Sequence, residues 1–373
     1  MRAIVFVLAA GVASGLLGNI GPQERAQTII ENPGRPLSAN PGRILPLKET
    51  LRIVDEGKGF YFKLPWGLAV APDGTIFVQD DVRLYKFTPD GRFVGNVAKQ
   101  GQGPGEIPGG ISRYLADGDA LYIFCGLTKI MKCDLSGKLI REWKLSGPIL
   151  HFLGVRDGRM FMAERQTVTT TPKEGLRTDE HRIVVLAEDG SKQPGRDVFT
   201  TQSMISIRTI GGRTGVAAST IARLEAGKRA GRYVYLSHTQ EYAIKQLDLE
   251  SGSIVRIFRR EYPRIRYKKD PRDTRPMPEY EVDVHRLLVH GDHIWALTST
   301  FDPKKGVLTD VFDEQGRFID SFILPVPAVR TGDEYSARYF PVAIQGDFLY
   351  AIEHDADWNF SIARYEIPKD AGR

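Results

Sequence analysis

A short turn ending in glycine recurs along this chain, and it recurs in two series. The first runs Asp73-Gly74, Asp117-Gly118, Asp157-Gly158, Ala230-Gly231, His290-Gly291 and Gln345-Gly346; the second runs Asp90-Gly91, Ser136-Gly137, Asp189-Gly190, Ser251-Gly252 and Gln315-Gly316. Glycine accepts the positive φ of tight hairpin turns, so each turn between β-branched and aromatic runs marks a pair of antiparallel strands. Residues 64–107 show the unit most clearly. Leu68-Ala69-Val70, the turn Pro72-Asp73-Gly74 and Thr75-Ile76-Phe77-Val78 make one hairpin. Arg83-Leu84-Tyr85-Lys86-Phe87 then alternates with the period of a half-buried strand, and Pro89-Asp90-Gly91 turns it into Arg92-Phe93-Val94-Gly95. Four antiparallel strands in about forty residues make one propeller blade.

Six turns of the first series against five of the second leave the last unit, in residues 339–367, with three strands. The unassigned strand-like run Thr50-Leu51-Arg52-Ile53-Val54 lies at the other end and is expected to supply the fourth. The fold expected is all-β, a six-bladed β-propeller over residues 49–370 whose last blade is closed by an N-terminal strand. Closure of this kind protects the sheet edges that an open array would expose.

Residues 1–20 open with Arg2, continue as an apolar run and soften into Gly11-Val12-Ala13-Ser14-Gly15, the pattern of a secretory signal peptide. The run is shorter than the roughly 20 apolar residues that span a bilayer, and three glycines interrupt it. Residues 21–48, rich in proline, glycine and polar side chains, read as a flexible linker. The expected location is therefore secreted or periplasmic. Export would permit a disulfide between Cys125 and Cys133, but a hairpin turning near Leu127 sets Cys133 opposite Leu121. That displaces the thiols by about 13 Å, so both are expected to be free and buried.

The turn Pro72-Asp73-Gly74, then Ile76-Phe77-Val78-Gln79-Asp80, Arg83-Leu84-Tyr85-Lys86-Phe87 and Gly101-Gln102-Gly103-Pro104-Gly105-Glu106 together resemble the NHL-type six-bladed propellers, in particular an exported bacterial group with a GxGPGE link between blades. The similarity spans about residues 50–370, with departures at 167–178, 201–230 and 261–280. It implies the fold and a binding scaffold; a few such propellers are lyases or lactonases, so it implies no single activity.

In a propeller each innermost strand starts at the face where the second strand ends, and residues at those positions converge on the channel. By this register Trp66, Ile111, His151, His285 and Phe340 lead into first strands, while Asp80, Asp81, Glu164, Arg165, His238, Glu241, Glu353, His354 and Asp355 leave second strands. Trp66 and Phe340 offer rings for stacking a sugar. His151, His238, His285 and His354 are the candidate ligands of a divalent metal, the one cofactor the pattern suggests. The spacing of His290 and His293 flanks a turn and does not bring both rings to one side.

The run between Arg256 and Arg275 carries nine Lys or Arg against three acidic residues, more than the whole formal charge of +5. With Tyr262 and Tyr267 interleaved, it suits an anionic ligand, and Arg264 and Arg266 join the candidate face. No GxSxG elbow or phosphate-binding loop is present, which argues against serine-hydrolase and nucleotide chemistry. The primary expectation is an exported monomeric scaffold in the cell envelope that binds an envelope protein, an anionic glycan or a small ligand, and not nucleic acid. The alternative is a metal-dependent lyase or hydrolase, lactonase-like or amidating-lyase-like, with its site on the propeller axis.

Overall fold

The computed structural model describes residues 27–371 apart from 56, 58, 127–128, 146–148, 166–173, 211–212, 221–223, 229–230, 269–277 and 331–337. The N-terminal run read as a signal peptide lies outside the described residues. Six antiparallel sheets are arranged as the blades of a propeller. Blade 1 holds Pro65–Val70, Ile76–Asp80, Arg83–Phe87 and Phe93–Asn96, and blade 2 holds Ile111–Asp117, Ala120–Cys125, Lys129–Asp134 and Leu139–Lys144, each in chain order from the axis outward. In blade 6, Val342–Gln345, Phe348–His354 and Phe360–Glu366 are joined by the N-terminal strand Lys48–Val54, with Ile53 opposite Ile362 and Val54 opposite Ser361. The ring is closed as the two turn series require.

The alternation within each second strand explains why the sheets stand as blades. Ile76 and Val78 face blade 6, while Phe77, one residue out of phase, faces blade 2. Leu121 and Ile123 face back to blade 1, and Tyr122 and Phe124 face blade 3. The described residues accordingly form six apolar clusters, one at each blade–blade interface, rather than one central core.

The regions read as insertions in blades 3 and 4 are partly strand. Blade 3 has five strands, its third and fourth lengthened to Gly175–Leu186 and Lys192–Ile210, with Arg213–Thr220 added at the edge. Cys133 pairs opposite Leu121, and both cysteines are free and buried. Burial pushes the Cys125 thiol up to about 12 and the Cys133 thiol up to about 11.

The Gly101–Glu106 link is a closed knot. The Glu106 carboxylate accepts the Gly103 amide at 2.8 Å, and Lys129 donates to the Glu106 carbonyl at 2.8 Å while pairing with Glu142 at 2.7 Å. A Cβ on Gly101 would fall 2.0 Å from Glu106 Oε2, so only glycine leaves the carboxylate room.

A correction concerns residues 27–47, read from composition as a flexible linker. They run as a belt along the outer edges of blades 4 and 5. Thr28–Asn32 pairs in parallel with Ser253–Arg260, and Arg43–Ile44 pairs in parallel with Phe318–Leu324. Asn32 ties the two blades together, donating to the carbonyls of Arg259 (3.0 Å) and Gly316 (2.9 Å) and accepting the Phe318 amide (2.9 Å). Arg43 makes a bidentate pair with the buried Asp320 at 2.9 and 2.7 Å, and Leu45 enters the blade 5–6 cluster. Composition misled because a strand at a sheet edge faces solvent on one side and needs few apolar residues.

A chain starting at Lys48 leaves Asp320 without its partner, which costs about 3 kcal/mol for a buried pair broken on one side. Its urea midpoint is expected to fall, and truncation through Val54 is expected to abolish a single cooperative transition. A midpoint unchanged on removing residues 27–47 would show that the belt bears no stability.

Candidate functional site

Several residues that the register aimed at the channel mouth are structural. Asp80 is buried, and its two oxygens accept the amides of Lys63 and Leu64 at 2.8 Å each, fixing the loop into blade 1. Asp81 takes a positive φ of 57° in the turn that follows. Ile111 is buried in the blade 1–2 cluster. Phe340 is 1% exposed and packed edge-on against Phe301 and His285, so it is not available to stack a ligand, whereas Trp66 is 41% exposed. Glu164 pairs with Lys192, Arg165 with Asp179 at 2.6 Å, and Glu353 accepts from Arg52 at 3.0 Å and from the Tyr365 hydroxyl at 2.6 Å. Glu241 and Asp355 are exposed, Glu241 on the wall of a pocket beside blade 4 and Asp355 in the turn after Phe348–His354.

The four candidate metal histidines do not meet. His354 lies flat against Trp358 in blade 6, with ring centroids 4.5 Å apart and an interplanar angle of 4°. His285, in blade 5, sits 3.4 Å from the Glu281 carboxylate. His151 and His238 belong instead to a row across blades 3 and 4 that includes His181, a residue the register did not single out because it lies on a third strand. His151 and His181 rings are 6.3 Å apart, His181 stacks on Phe199 at 5.3 Å, and Phe199 meets His238 at 4.5 Å. His181 Nε2 hydrogen-bonds Thr201 Oγ1 at 2.8 Å, and His238 Nδ1 donates to the Thr200 carbonyl at 3.0 Å. Burial, followed by nearby Arg113, pushes the His151 imidazole down to about 3; burial, followed by Lys245, does the same to His238. Among the described residues no group of three or more His, Cys, Asp or Glu is placed to hold a metal ion.

The basic run is largely neutralised where it is described. Arg259 pairs with Glu31, Arg264 with Asp283 and Arg266 with Glu279, at 3.3, 3.3 and 3.1 Å. Arg260, almost fully buried, pairs with Asp310 at 2.8 Å, and Tyr242 donates to the same carboxylate. The pocket of about 400 Å³ beside these residues is thus walled by matched charges. Residues 269–277 of the run lie outside the described residues.

A charged cluster that the register missed occupies the axis itself. Arg113, Glu225 and Arg286 stand on the innermost strands of blades 2, 4 and 5, opposite Phe124, Ser237 and Leu297, each five or six residues before its turn glycine, Gly118, Gly231 or Gly291. Blades 4 and 5 are neighbours, whereas blade 2 borders neither of them, so Arg113 reaches across the channel, and its charge is felt by both Glu225 and Arg286. Arg286 donates to Glu225 at 3.1 Å and to the Val342 carbonyl at 3.3 Å, and its Nε is buried without a partner. Burial works against the Arg286 charge, but Tyr339 and Glu225 more than offset it and raise its pKa. Arg113 differs: burial lowers its pKa, Glu225 is shared, and no hydrogen-bond or ion-pair partner for its guanidinium is found among the described residues. It is half-buried, surrounded by protein yet open toward the channel. Asp117 and Lys228 pair across the channel, in the same two strands as Arg113 and Glu225. A sequence signal existed, since Ile111-Ser112-Arg113 and Val284-His285-Arg286 repeat one pattern at equivalent points of their blades.

Residues 69–207 match the model of a protein family, DUF5128, described as a 6-bladed beta-propeller. No curated protein matches the chain in sequence. Among solved structures the chain is similar to a Bacteroides fragilis protein described as exported, with 12% identity, 92% of this chain and 100% of that chain covered, and a TM-score of 0.56. A gluconolactonase from Xanthomonas campestris (14% identity, 88% and 99% covered, TM-score 0.44) and a streptogramin B lyase (11% identity, 87% and 98% covered, TM-score 0.41) are also similar. At such identities the likeness is one of fold. No described helix is long and apolar enough to cross a membrane.

The buried imidazoles set a pH dependence with a definite sign. Below the ordinary value of about 6.5 the unfolded chain takes up protons that folded His151 and His238 refuse, so their contribution is fully present above pH 6.5 and falls as pH drops toward 3. At pH 5 the loss is about 2 kcal/mol for each histidine. In urea denaturation a His151→Gln/His238→Gln variant is expected to lose less stability than the parent between pH 7.5 and 5. Equal pH slopes would mean that the two rings titrate as they do in water.

Proposed function

We propose that this protein is an exported binding propeller that holds a small carboxylate-bearing ligand at the arginine pair of its axial channel. The observation that supports the reading is a charge imbalance at the axis: two guanidiniums face one carboxylate, and Arg113 is the one without a partner of its own. An arginine offers a planar fork of donors that matches a carboxylate, and in a narrow low-dielectric channel an unmatched positive charge favours an anion strongly. Tyr114 and Tyr339 stand close enough to Arg286 to feel its charge, and the Tyr114 hydroxyl, kept neutral by burial, donates to the Phe77 carbonyl at 3.2 Å.

The rest of the reading accords with a binding role. The described part of the basic run is spent on internal pairs, so the attraction for anions is concentrated at the axis. Export is supported by the apolar N-terminal run and by the description of the Bacteroides protein of similar fold. Kinship with NHL-type propellers rests on the blade 1 motifs and the GQGPGE link.

Thermal-shift titrations with matched pairs, galacturonate against galactose and gluconate against glucose, test this. The charged member is expected to stabilise the protein, with a shift that shrinks as salt is added. Arg113→Gln is expected to weaken that binding at least tenfold at unchanged melting temperature of the free protein. Equal shifts from charged and neutral members, or an Arg113→Gln response matching the parent, would overturn the axial reading.

A further inference from the structure

A pocket of about 420 Å³ opens on blade 6, away from the arginine cluster and formed where the closing strand Lys48–Val54 meets the Asp355–Asn359 turn. Its most unusual wall is Trp358. This indole is 48% exposed, and its backbone sits at φ 62°, a left-handed conformation that bulky residues avoid and that glycine or asparagine would adopt with less strain. The turn is over-determined. Asp355 Oδ1 accepts the amides of Asp357 and Asn359 at 2.9 Å each, its Oδ2 accepts the Asn359 side chain at 2.8 Å, and its carbonyl accepts the Trp358 amide at 3.2 Å. These bonds hold the Asp355 carboxyl below the usual carboxylate range, so it stays an acceptor.

The ring is fixed as firmly as the backbone. His354 lies flat on one face at 4.5 Å, Phe360 meets the ring at 6.0 Å and 67°, and the half-exposed indole stays on the pocket wall. Tyr61, 60% exposed, stands on the pocket wall, and its carbonyl is pinned by the Tyr85 hydroxyl at 3.2 Å. On the same wall the Arg52 guanidinium commits its N–H groups to Glu49 (2.9 Å), Glu353 (3.0 Å), Ser361 (2.8 Å) and the Tyr365 hydroxyl (3.4 Å), which holds Glu353 rigidly as an acceptor at the pocket surface beside the Tyr61 hydroxyl.

We infer that this pocket is a binding subsite for a neutral sugar ring, with the apolar face of the pyranose on Trp358 and its hydroxyls donating to Glu353 and Asp355 and accepting from Tyr61. Each feature selects against the competing ligand classes. A cation would suit the rings and carboxylates but meets the Arg52 guanidinium, and an anion meets three carboxylates, Asp55, Glu353 and Asp355, with Arg52 already paired. Hydroxyls donate and accept at once, so a polyhydroxylated neutral molecule satisfies a mixed lining, and the volume lies within the range of small-molecule sites, about 300–1,000 Å³. The held orientation of Trp358 removes the ordering cost that a mobile ring would bring to binding.

The subsite is independent of the axial reading, and the experiment separates them. Binding of neutral oligosaccharides to the folded chain is measured on a glycan array and by tryptophan fluorescence, with tetramethylammonium as the cationic control. At least one neutral glycan is expected to bind, with affinity reduced tenfold or more in Trp358→Ala and in Tyr61→Ala and unchanged in Arg113→Gln. Trp358→Gly relieves the backbone strain while removing the ring; it is expected to be at least as stable as the parent yet to lose binding, which distinguishes a lost ligand contact from a lost fold. Absence of any neutral glycan binding, binding indifferent to Trp358, or a response to tetramethylammonium in place of sugars would overturn the proposal.

Discussion

The apolar contact between adjacent blades is the interaction on which everything else in this molecule depends. A twisted four-stranded sheet has two faces to cover, and no blade can cover both alone. The period-two alternation sends Ile76 and Val78 one way and Phe77 the other, so each blade needs a neighbour on either side. An array built on that rule has uncovered faces at its ends unless it closes. Closure here runs through blade 6, where Ile53 from the N-terminal strand and Ile362 from the C-terminal end lie opposite one another in the cluster that also holds Val78 and Phe87 of blade 1.

Closing the ring creates both places where ligands are proposed to bind. The channel exists because six innermost strands surround one axis, and it forces together charges that lie far apart in the chain: Arg113, Glu225 and Arg286 become one electrostatic system. The blade 6 pocket exists because the closing strand carries Arg52 alongside Glu353 and Ser361. The strand that stabilises the fold therefore also supplies a wall of the candidate sugar subsite. The belt adds a second use of the N-terminal chain, bracing blades 4 and 5 through Asn32 and Arg43.

The fold was far more legible than the site. Turn glycines and strand alternation act within a few residues, so the two turn series located the hairpins, the shortage of one second turn located the closure, and the offset of Cys125 from Cys133 followed from register alone. Position along a strand also told which residues fall at strand ends, but not what each meets there. Asp80 is consumed by two amides, Phe340 is buried, and His151 joins His181 and His238 in place of His285 and His354. Arg264 and Arg266, read as an anionic-ligand surface, turned out to have carboxylate partners contributed by Asp283 and Glu279.

The sequence by itself determined that the chain is a ring of six blades, because local turn chemistry and period-two burial leave few other ways to satisfy the backbone and cover both faces of every sheet. Only the tertiary structure decided which charges remain unmatched and which aromatic rings stay exposed. Pairing and burial are sums over neighbours from different blades, and Arg113 and Trp358 differ from their paired or buried counterparts by what stands around them, which no run of adjacent residues contains.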